Sequence, residues 1–106
     1  MELTTLEQHA MLAIVALHGN AYGISIQDHI NRKAGYEPSV GSLYAALDRL
    51  QEKGFIRTKQ GEATRERGGR RKLYFSVTAP GQKVLRESLK AVSSLSRAAR
   101  WQEAPA

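Results

Sequence analysis

Residues 39–56 read SVGSLYAALDRLQEKGFI, a pattern that predicts a capped amphipathic helix ending at a glycine and continuing into a strand. Ser39 is placed to cap this helix, because its hydroxyl can accept a hydrogen bond from a free amide of the first turn. Gly54 stands where a left-handed C-terminal cap is expected. Apolar residues spaced three or four apart are Val40, Leu43, Leu47 and Leu50. This spacing predicts that they share one face and pack inward.

The opposite face of this helix is small and polar, especially near its N-terminal end. It carries Gly41, Ser42, Ala45, Asp48 and Arg49. A helix that enters the major groove of DNA needs such a face, because bulky side chains would block its approach to the base edges. An ordinary surface helix has the same pattern, so the stretch alone does not separate the two interpretations.

Two further helices are predicted before this stretch. Thr4 and Glu7 form a capping-box pattern that starts the first helix, and Gly19 is a natural place for it to end. A second, shorter helix is predicted over residues 24–33, with Gly35 as its terminator.

A β-hairpin and a long last helix are predicted after it. The strands are expected over residues 55–59 and 71–77, joined by a glycine-rich basic loop. Alternation in the second strand predicts that Leu73, Phe75 and Val77 point inward. Thr78 then caps a helix of about 20 residues, or ~30 Å.

Three helices followed by a hairpin make a winged helix-turn-helix, so the expected fold class is α+β and mainly α. We expect the winged-helix domain over residues 1–78, a long C-terminal dimerisation helix over residues 79–101 and a frayed tail over residues 102–106. The last helix is too long for a small domain to cover its apolar stripe fully. A symmetric partner is the expected cover, which predicts a homodimer.

Positive charge concentrates just after the third helix. The whole chain has a formal net charge of +6, and residues 57–72 hold seven basic and two acidic side chains, a net of +5. A concentrated basic segment is an electrostatic footprint for a polyanion such as DNA. A solvated loop kept soluble by its charge is the alternative, and charge alone does not distinguish them.

The composition argues against several other classes of protein. The chain has no cysteine, which excludes disulfides and cysteine-ligated metal centres. No apolar run approaches the ~20 residues that span a bilayer, and no signal-peptide pattern opens the chain. His9, His18 and His29 lack the spacing of metal ligands. We therefore expect a soluble cytoplasmic protein with no membrane contact, cofactor, metal or enzymatic activity.

The run at residues 39–50, followed by GFI at 54–56, resembles the recognition-helix signature of PadR-family transcriptional regulators. Tyr22-Gly23 is similar to that family's entry into its second helix, and RKLYFSVT at residues 71–78 resembles its second wing strand. Gln51, where an acidic residue is usual, and the short C-terminal part depart from the pattern. The resemblance implies a homodimeric winged-helix repressor that binds a palindromic operator in double-stranded DNA.

The resemblance implies a DNA-binding surface made by the recognition helix, the wing and the start of the second helix. The candidate residues are Tyr22, Ser39, Gly41, Ser42, Tyr44, Arg49, Arg65, Arg67, Arg70, Arg71 and Lys72. Backbone amides and the helix dipole favour a phosphate near Ser39 and Gly41. The ring of Tyr22 is expected to pack against the recognition helix. Two alternatives stay open: a packing role for Tyr44, and a salt bridge from Arg49 to a neighbouring helix.

The same resemblance implies a dimer built from the first and last helices. The candidate interface residues are Leu6, Ala10, Leu85, Leu89, Val92 and Leu95. Some small family members bind aromatic drugs with a tryptophan of the last helix, and Trp101 is the one candidate here, although an ideal helix places it nearly opposite the stripe. Two rival functions remain: a regulator that responds to a small aromatic effector at the dimer interface, and a winged helix that binds protein. A protein-docking winged helix has no need of the basic wing.

Overall fold

The computed structural model describes residues 2–63 and 71–101 and, for residues 62, 63 and 71, the backbone alone. The elements in chain order are α1 (Thr5–Leu17), α2 (Gly23–Ala34), α3 (Val40–Glu52), β1 (Ile56–Ala63), β2 (Arg71–Val77) and α4 (Ala79–Ala98). This order confirms the predicted winged helix-turn-helix followed by a long helix. Among the described residues, no helix is both long and apolar enough to span a membrane.

Local hydrogen bonds fix the helix boundaries where the sequence predicts them. The Thr4 hydroxyl accepts from the Glu7 amide at 3.1 Å, and the Glu7 carboxylate accepts from the Thr4 amide at 2.7 Å, which completes the capping box. Ser39 Oγ accepts from the Ser42 amide at 3.1 Å and so caps α3. Gly54 follows α3 with a φ of +78°, a backbone conformation that glycine adopts without strain.

The core lies between the first three helices and the base of the hairpin. Its largest fully buried apolar side chains are Met11, Ile26, Leu43, Leu47 and Leu50. The prediction that Val40 packs inward is wrong, because this side chain is 58% exposed. The buried stripe of α3 is centred on residues 43, 46, 47 and 50, and position 40 lies at the edge of that stripe in the first turn. Ala46 takes the inward place instead.

The hairpin is antiparallel, with Ile56 opposite Val77 and an irregularity in the pairing between Gln60 and Ala63. The amide of Phe75 donates to the carbonyl of Ala21 at 2.7 Å and ties β2 to the α1–α2 loop. Phe75 is buried, as predicted, and Val77 is half-buried against the core. The prediction that Leu73 points into the core is wrong, because it is half exposed. Its neighbours Lys72 and Tyr74, on the opposite face of β2, are the side chains that contact Tyr22 at the start of α2.

The first half of α4 packs on the domain and the second half projects from it. Thr78 caps the helix, and its hydroxyl also donates to the Gly54 carbonyl at 2.7 Å. Gly81 lies so close to the Phe55 backbone that an added Cβ would overlap the Phe55 carbonyl oxygen. The Gln8 amide donates to the Ser88 hydroxyl and joins α1 to α4. From residue 90 to residue 101 every side chain is exposed.

Candidate nucleic-acid interface

The exposed face of α3 begins at its first turn. Val40, Gly41, Ser42, Tyr44 and Ala45 are all exposed there. A Cβ added at Gly41 would meet no atom within 4 Å, so the space in front of this residue is open. The Ser39 hydroxyl is already used by the Ser42 amide, which agrees with its predicted role as a cap. The result is a low, uncluttered surface of the shape that a major groove admits.

Tyr44 lies across the start of α2. Its hydroxyl and ring tip occupy the place where a Cβ on Gly23 would be, while the side chain as a whole remains 43% exposed. Gly23 therefore gives the Tyr44 ring room to lie directly over the backbone. This contact supports the packing alternative for Tyr44 and holds α3 against α2, and the exposed part of the ring still faces solvent.

Tyr22 contacts the wing. Its ring meets the ring of Tyr74 edge-on, with 5.8 Å between centroids and an interplanar angle of 78°. Lys72 Nζ lies 4.1 Å from the centroid of the Tyr22 ring, within the range of a cation–π interaction. The expected packing of this ring on the recognition helix stays a prediction, and the contacts with Tyr74 and Lys72 are additional to it. Two predicted DNA-binding residues, Tyr22 and Lys72, are thus brought together where the start of β2 passes the N-terminus of α2.

Arg49 points toward α1. Its Nε lies 3.4 Å from Glu7 Oε2, and Lys53 Nζ lies 3.2 Å from the same oxygen. Arg49 therefore forms the salt bridge to a neighbouring helix that was the alternative to a DNA contact. Burial raises the pKa of Glu7, but hydrogen bonds from Thr4 and the charge and hydrogen bond of Lys53 outweigh it, so the pKa of Glu7 is lowered. The sequence marked Glu7 only as a capping residue, and nothing in its local pattern indicates Lys53 as a partner.

Most of the predicted wing arginines cannot be placed. Arg65, Arg67 and Arg70 lie outside the described residues, and for Arg71 the structure describes only the backbone, at the start of β2. Lys72 is described and half-buried, whereas Arg57 and Lys59 on β1 are exposed. The described part of the basic segment therefore lies on the two strands of the hairpin.

The predicted dimer residues divide between core and surface. Ala10 and Leu85 are buried inside the single chain, so they stabilise the fold and offer no surface to a partner, which corrects their assignment to the interface. Leu6 and Leu89 are half-buried against the core. Val92 and Leu95 are exposed on the projecting part of α4. A groove of about 350 Å³ runs beside them, and Leu3 and Glu2 form its other wall.

Trp101 lies beyond the last helix. The helix ends at Ala98, Ala99 is extended, and the indole is 82% exposed. Trp101 therefore has no place on a face of α4. Within residues 2–63 and 71–101, no three His, Asp or Glu side chains come together as a group that could hold a metal ion.

The fold and this surface together define a winged helix-turn-helix regulator of the DNA-binding class. The model of the family described as "Transcriptional regulator PadR-like family" matches residues 11–87, a span that runs from α1 through the recognition helix and hairpin into α4. The chain belongs to this family, which confirms the resemblance. A comparison with curated proteins finds no match.

Solved structures support the same fold. A transcriptional regulator from Clostridium thermocellum is 22% identical with a TM-score of 0.74, over 87% of this chain and 84% of that one. A PadR family transcription regulator from Clostridium difficile is 19% identical with a TM-score of 0.69, over 86% of this chain and 91% of that one. A protein from Streptococcus mutans is 28% identical with a TM-score of 0.68, over 91% and 85%.

Proposed function

We propose that the protein is a transcriptional repressor that binds a palindromic operator in double-stranded DNA as a homodimer. The observation that carries this proposal is the family match, because it spans both the exposed face of α3 and the basic hairpin. In a dimer, two copies of α3 enter successive major grooves about 34 Å apart. The wings cross the flanking phosphates, and the protein acts in the cytoplasm, where such DNA lies.

In this proposal the two parts of the chain have different roles. Residues 1–78 bind the DNA, and the segment over residues 79–101, which contains α4, joins the two copies. Support comes from the exposed Val92 and Leu95, since exposed apolar side chains on a projecting helix are costly in a monomer and are covered in a symmetric pair. The tail over residues 102–106 is assigned no role.

An effector site is a second candidate, supported by the groove beside α4. The groove is lined by Leu3, Val84, Val92 and Leu95, with Glu2 and Glu87 among its other residues. It adjoins the proposed dimer face, so a small aromatic molecule held there would change the distance between the two recognition helices. Trp101, the only tryptophan of the sequence, is not among the residues that line the groove, so binding of such a molecule is measured by calorimetry.

Binding to selected DNA tests the main proposal. The full chain is used to select duplexes from a random library, and its affinity for a selected duplex is measured by fluorescence anisotropy between 50 and 200 mM salt, conditions that expose phosphate contacts. A triple variant, Arg67→Ala, Arg70→Ala and Arg71→Ala, should bind more weakly. Its log–log salt slope should fall by about 2 to 3 if each side chain neutralises one phosphate.

The matched control removes the same charge elsewhere. Arg86, Lys90 and Arg97 are exposed on α4, and their triple alanine variant should keep the slope of the unmodified protein. Failure to select any specific duplex at low salt would overturn the DNA-binding proposal. It would favour the rival in which the winged helix binds another protein.

A further inference from the structure

The polar side chains with which a recognition helix usually reads bases are scarce on α3. Paired hydrogen bonds to guanine or adenine come from Arg, Lys, Asn or Gln, and residues 40–52 contain only Arg49 and Gln51 of these types. Arg49 Nε is directed to Glu7 at 3.4 Å. The Gln51 amide lies 3.4 Å from the Thr58 hydroxyl on β1. Both side chains are therefore turned toward neighbouring elements.

The C-terminal half of α3 is also the less suitable half for close approach to DNA. Asp48 and Glu52 are exposed there, and carboxylates repel the phosphates that border a groove. The N-terminal half carries no ionisable group except the Tyr44 phenol. Electrostatics thus favours entry of the N-terminal half, where the exposed side chains are mostly apolar.

Val40 is the largest aliphatic side chain exposed on α3, at 58%. Ala45 is exposed five residues later, about 140° around the helix from Val40, and Gly41 between them adds no side chain. The thymine C5 methyl is the apolar group that a base pair presents in the major groove, and Ala or larger apolar side chains contact it. An exposed valine beside Gly41, which has no side chain to obstruct the approach, suits this contact. The contact removes apolar surface of the valine and of the methyl group from water, which is favourable.

We propose that Val40 and Ala45 recognise thymine methyl groups, so that the operator half-site is specified at A·T pairs through apolar contact. This inference rests on the proposed function, since it assigns the specificity of the surface proposed to enter the groove. The exposed Ser42 hydroxyl supplies a hydrogen-bonding group beside these contacts. The ligand class is a duplex with thymines in both half-sites, and its recognition depends on their methyl groups.

Replacement of thymine by deoxyuridine tests the proposal, because it removes the methyl group and keeps base pairing. A duplex selected from a random library by the full chain is synthesised again with deoxyuridine at each thymine of the half-sites in turn. The unmodified protein should bind the modified duplex about fivefold more weakly for each contacted methyl group, as expected for loss of one buried methyl contact. Equal affinity for all modified duplexes would overturn the proposal.

A variant shows whether Val40 makes the contact. Val40→Ala alters both protomers, so it should bind the thymine duplex about fivefold more weakly per half-site, or about 25-fold in all, and its sensitivity to deoxyuridine at one position per half-site should disappear. Val15→Ala is the matched control, because Val15 is a half-exposed valine on α1. Val15→Ala should be as sensitive to deoxyuridine as the unmodified protein measured at the same salt concentration.

The outcomes separate this inference from the function on which it rests. If no duplex is selected, the proposed DNA binding fails. If a duplex is selected and bound specifically, but the unmodified protein tolerates deoxyuridine everywhere, only the thymine-methyl proposal fails. If Val40→Ala remains as sensitive as the unmodified protein, the methyl contact does not belong to Val40. The first comparison uses the unmodified protein, so the test does not depend on the variant's stability.

Discussion

Glu7 Oε2 lies 3.2 Å from Lys53 Nζ and joins the first turn of α1 to the residue that ends the recognition helix. The Glu7 side chain has no solvent exposure, whereas Lys53 is about a quarter exposed and Arg49 nearly half exposed. One buried carboxylate thus caps α1 through Thr4 and fixes the C-terminal end of α3. The orientation of the recognition helix depends on a residue outside the DNA-binding surface.

Glu7→Gln should lower the free energy of unfolding by about 1–3 kcal/mol at pH 7, because it removes charge-assisted hydrogen bonds from a buried site. The folded-state pKa of Glu7 is lowered, so its stabilising effect is present above the ordinary pKa of the group, 4.5, which applies to the unfolded chain. That effect is lost as the pH falls through the folded-state pKa. Urea unfolding at pH 7, 5, 4 and 3 should show the difference between the two proteins shrinking below about pH 4.

Glu2→Gln is the control for this series, because Glu2 is exposed. It should follow the unmodified protein within about 0.5 kcal/mol at every pH. A Glu7→Gln penalty that stays constant from pH 7 to pH 3 would show that the carboxylate charge is not what stabilises the site.

Gly23 and Tyr44 should be energetically coupled. Gly23→Ala puts a methyl group where the Tyr44 hydroxyl and ring tip lie, so the ring must move outward, at a cost of about 1 kcal/mol. In a Tyr44→Ala background the same substitution should be neutral or slightly stabilising, because alanine has the better helix propensity and the obstacle is gone. Thermal or urea unfolding of the four proteins measures the coupling. Equal costs in both backgrounds would contradict the contact.

The features that the sequence predicts well are those that local chemistry determines. The capping box at Thr4 and the αL glycine after α3 depend on residues a few positions apart, so the pattern is sufficient. The prediction for Val40 is wrong because a spacing of three and four residues fits two overlapping stripes on α3, one that includes Val40 and one that includes Ala46. Only the packing of α3 on the core shows that the stripe with Ala46 is the buried one.

Long-range relationships are the part that the sequence does not determine. Glu7 and Lys53 are 46 residues apart, and their ion pair exists only because α1 and α3 pack together. Similarly, the apolar stripe of α4 does not show at which residue the helix stops packing on the core of its own chain. The structure places that limit after Leu89, since Leu85 is buried and every residue from 90 to 101 is exposed.

Leu95→Asp should convert the proposed dimer into a monomer. Leu95 is 72% exposed on the projecting half of α4, so a charge there leaves the single domain intact but is costly at an apolar interface between two copies. Sedimentation equilibrium at micromolar concentration measures the mass. Ser94→Asp is the control, because it adds the same charge at an exposed neighbouring residue about 100° around the helix. A dimer in Leu95→Asp, or a monomer in the unmodified protein, would contradict the assignment.

Gly41→Ala should separate stability from DNA binding. Gly41 lies in the first turn of α3, and an added Cβ meets no atom within 4 Å, so alanine should raise the free energy of unfolding by about 0.5–1 kcal/mol through its helix propensity. The new methyl group stands on the face proposed to enter the major groove. Affinity for a selected duplex should therefore fall about fivefold or more, the equivalent of roughly 1 kcal/mol of overpacking. Urea unfolding and anisotropy on one preparation measure both effects, and unchanged affinity in the stabilised variant would remove Gly41 from the DNA-facing surface.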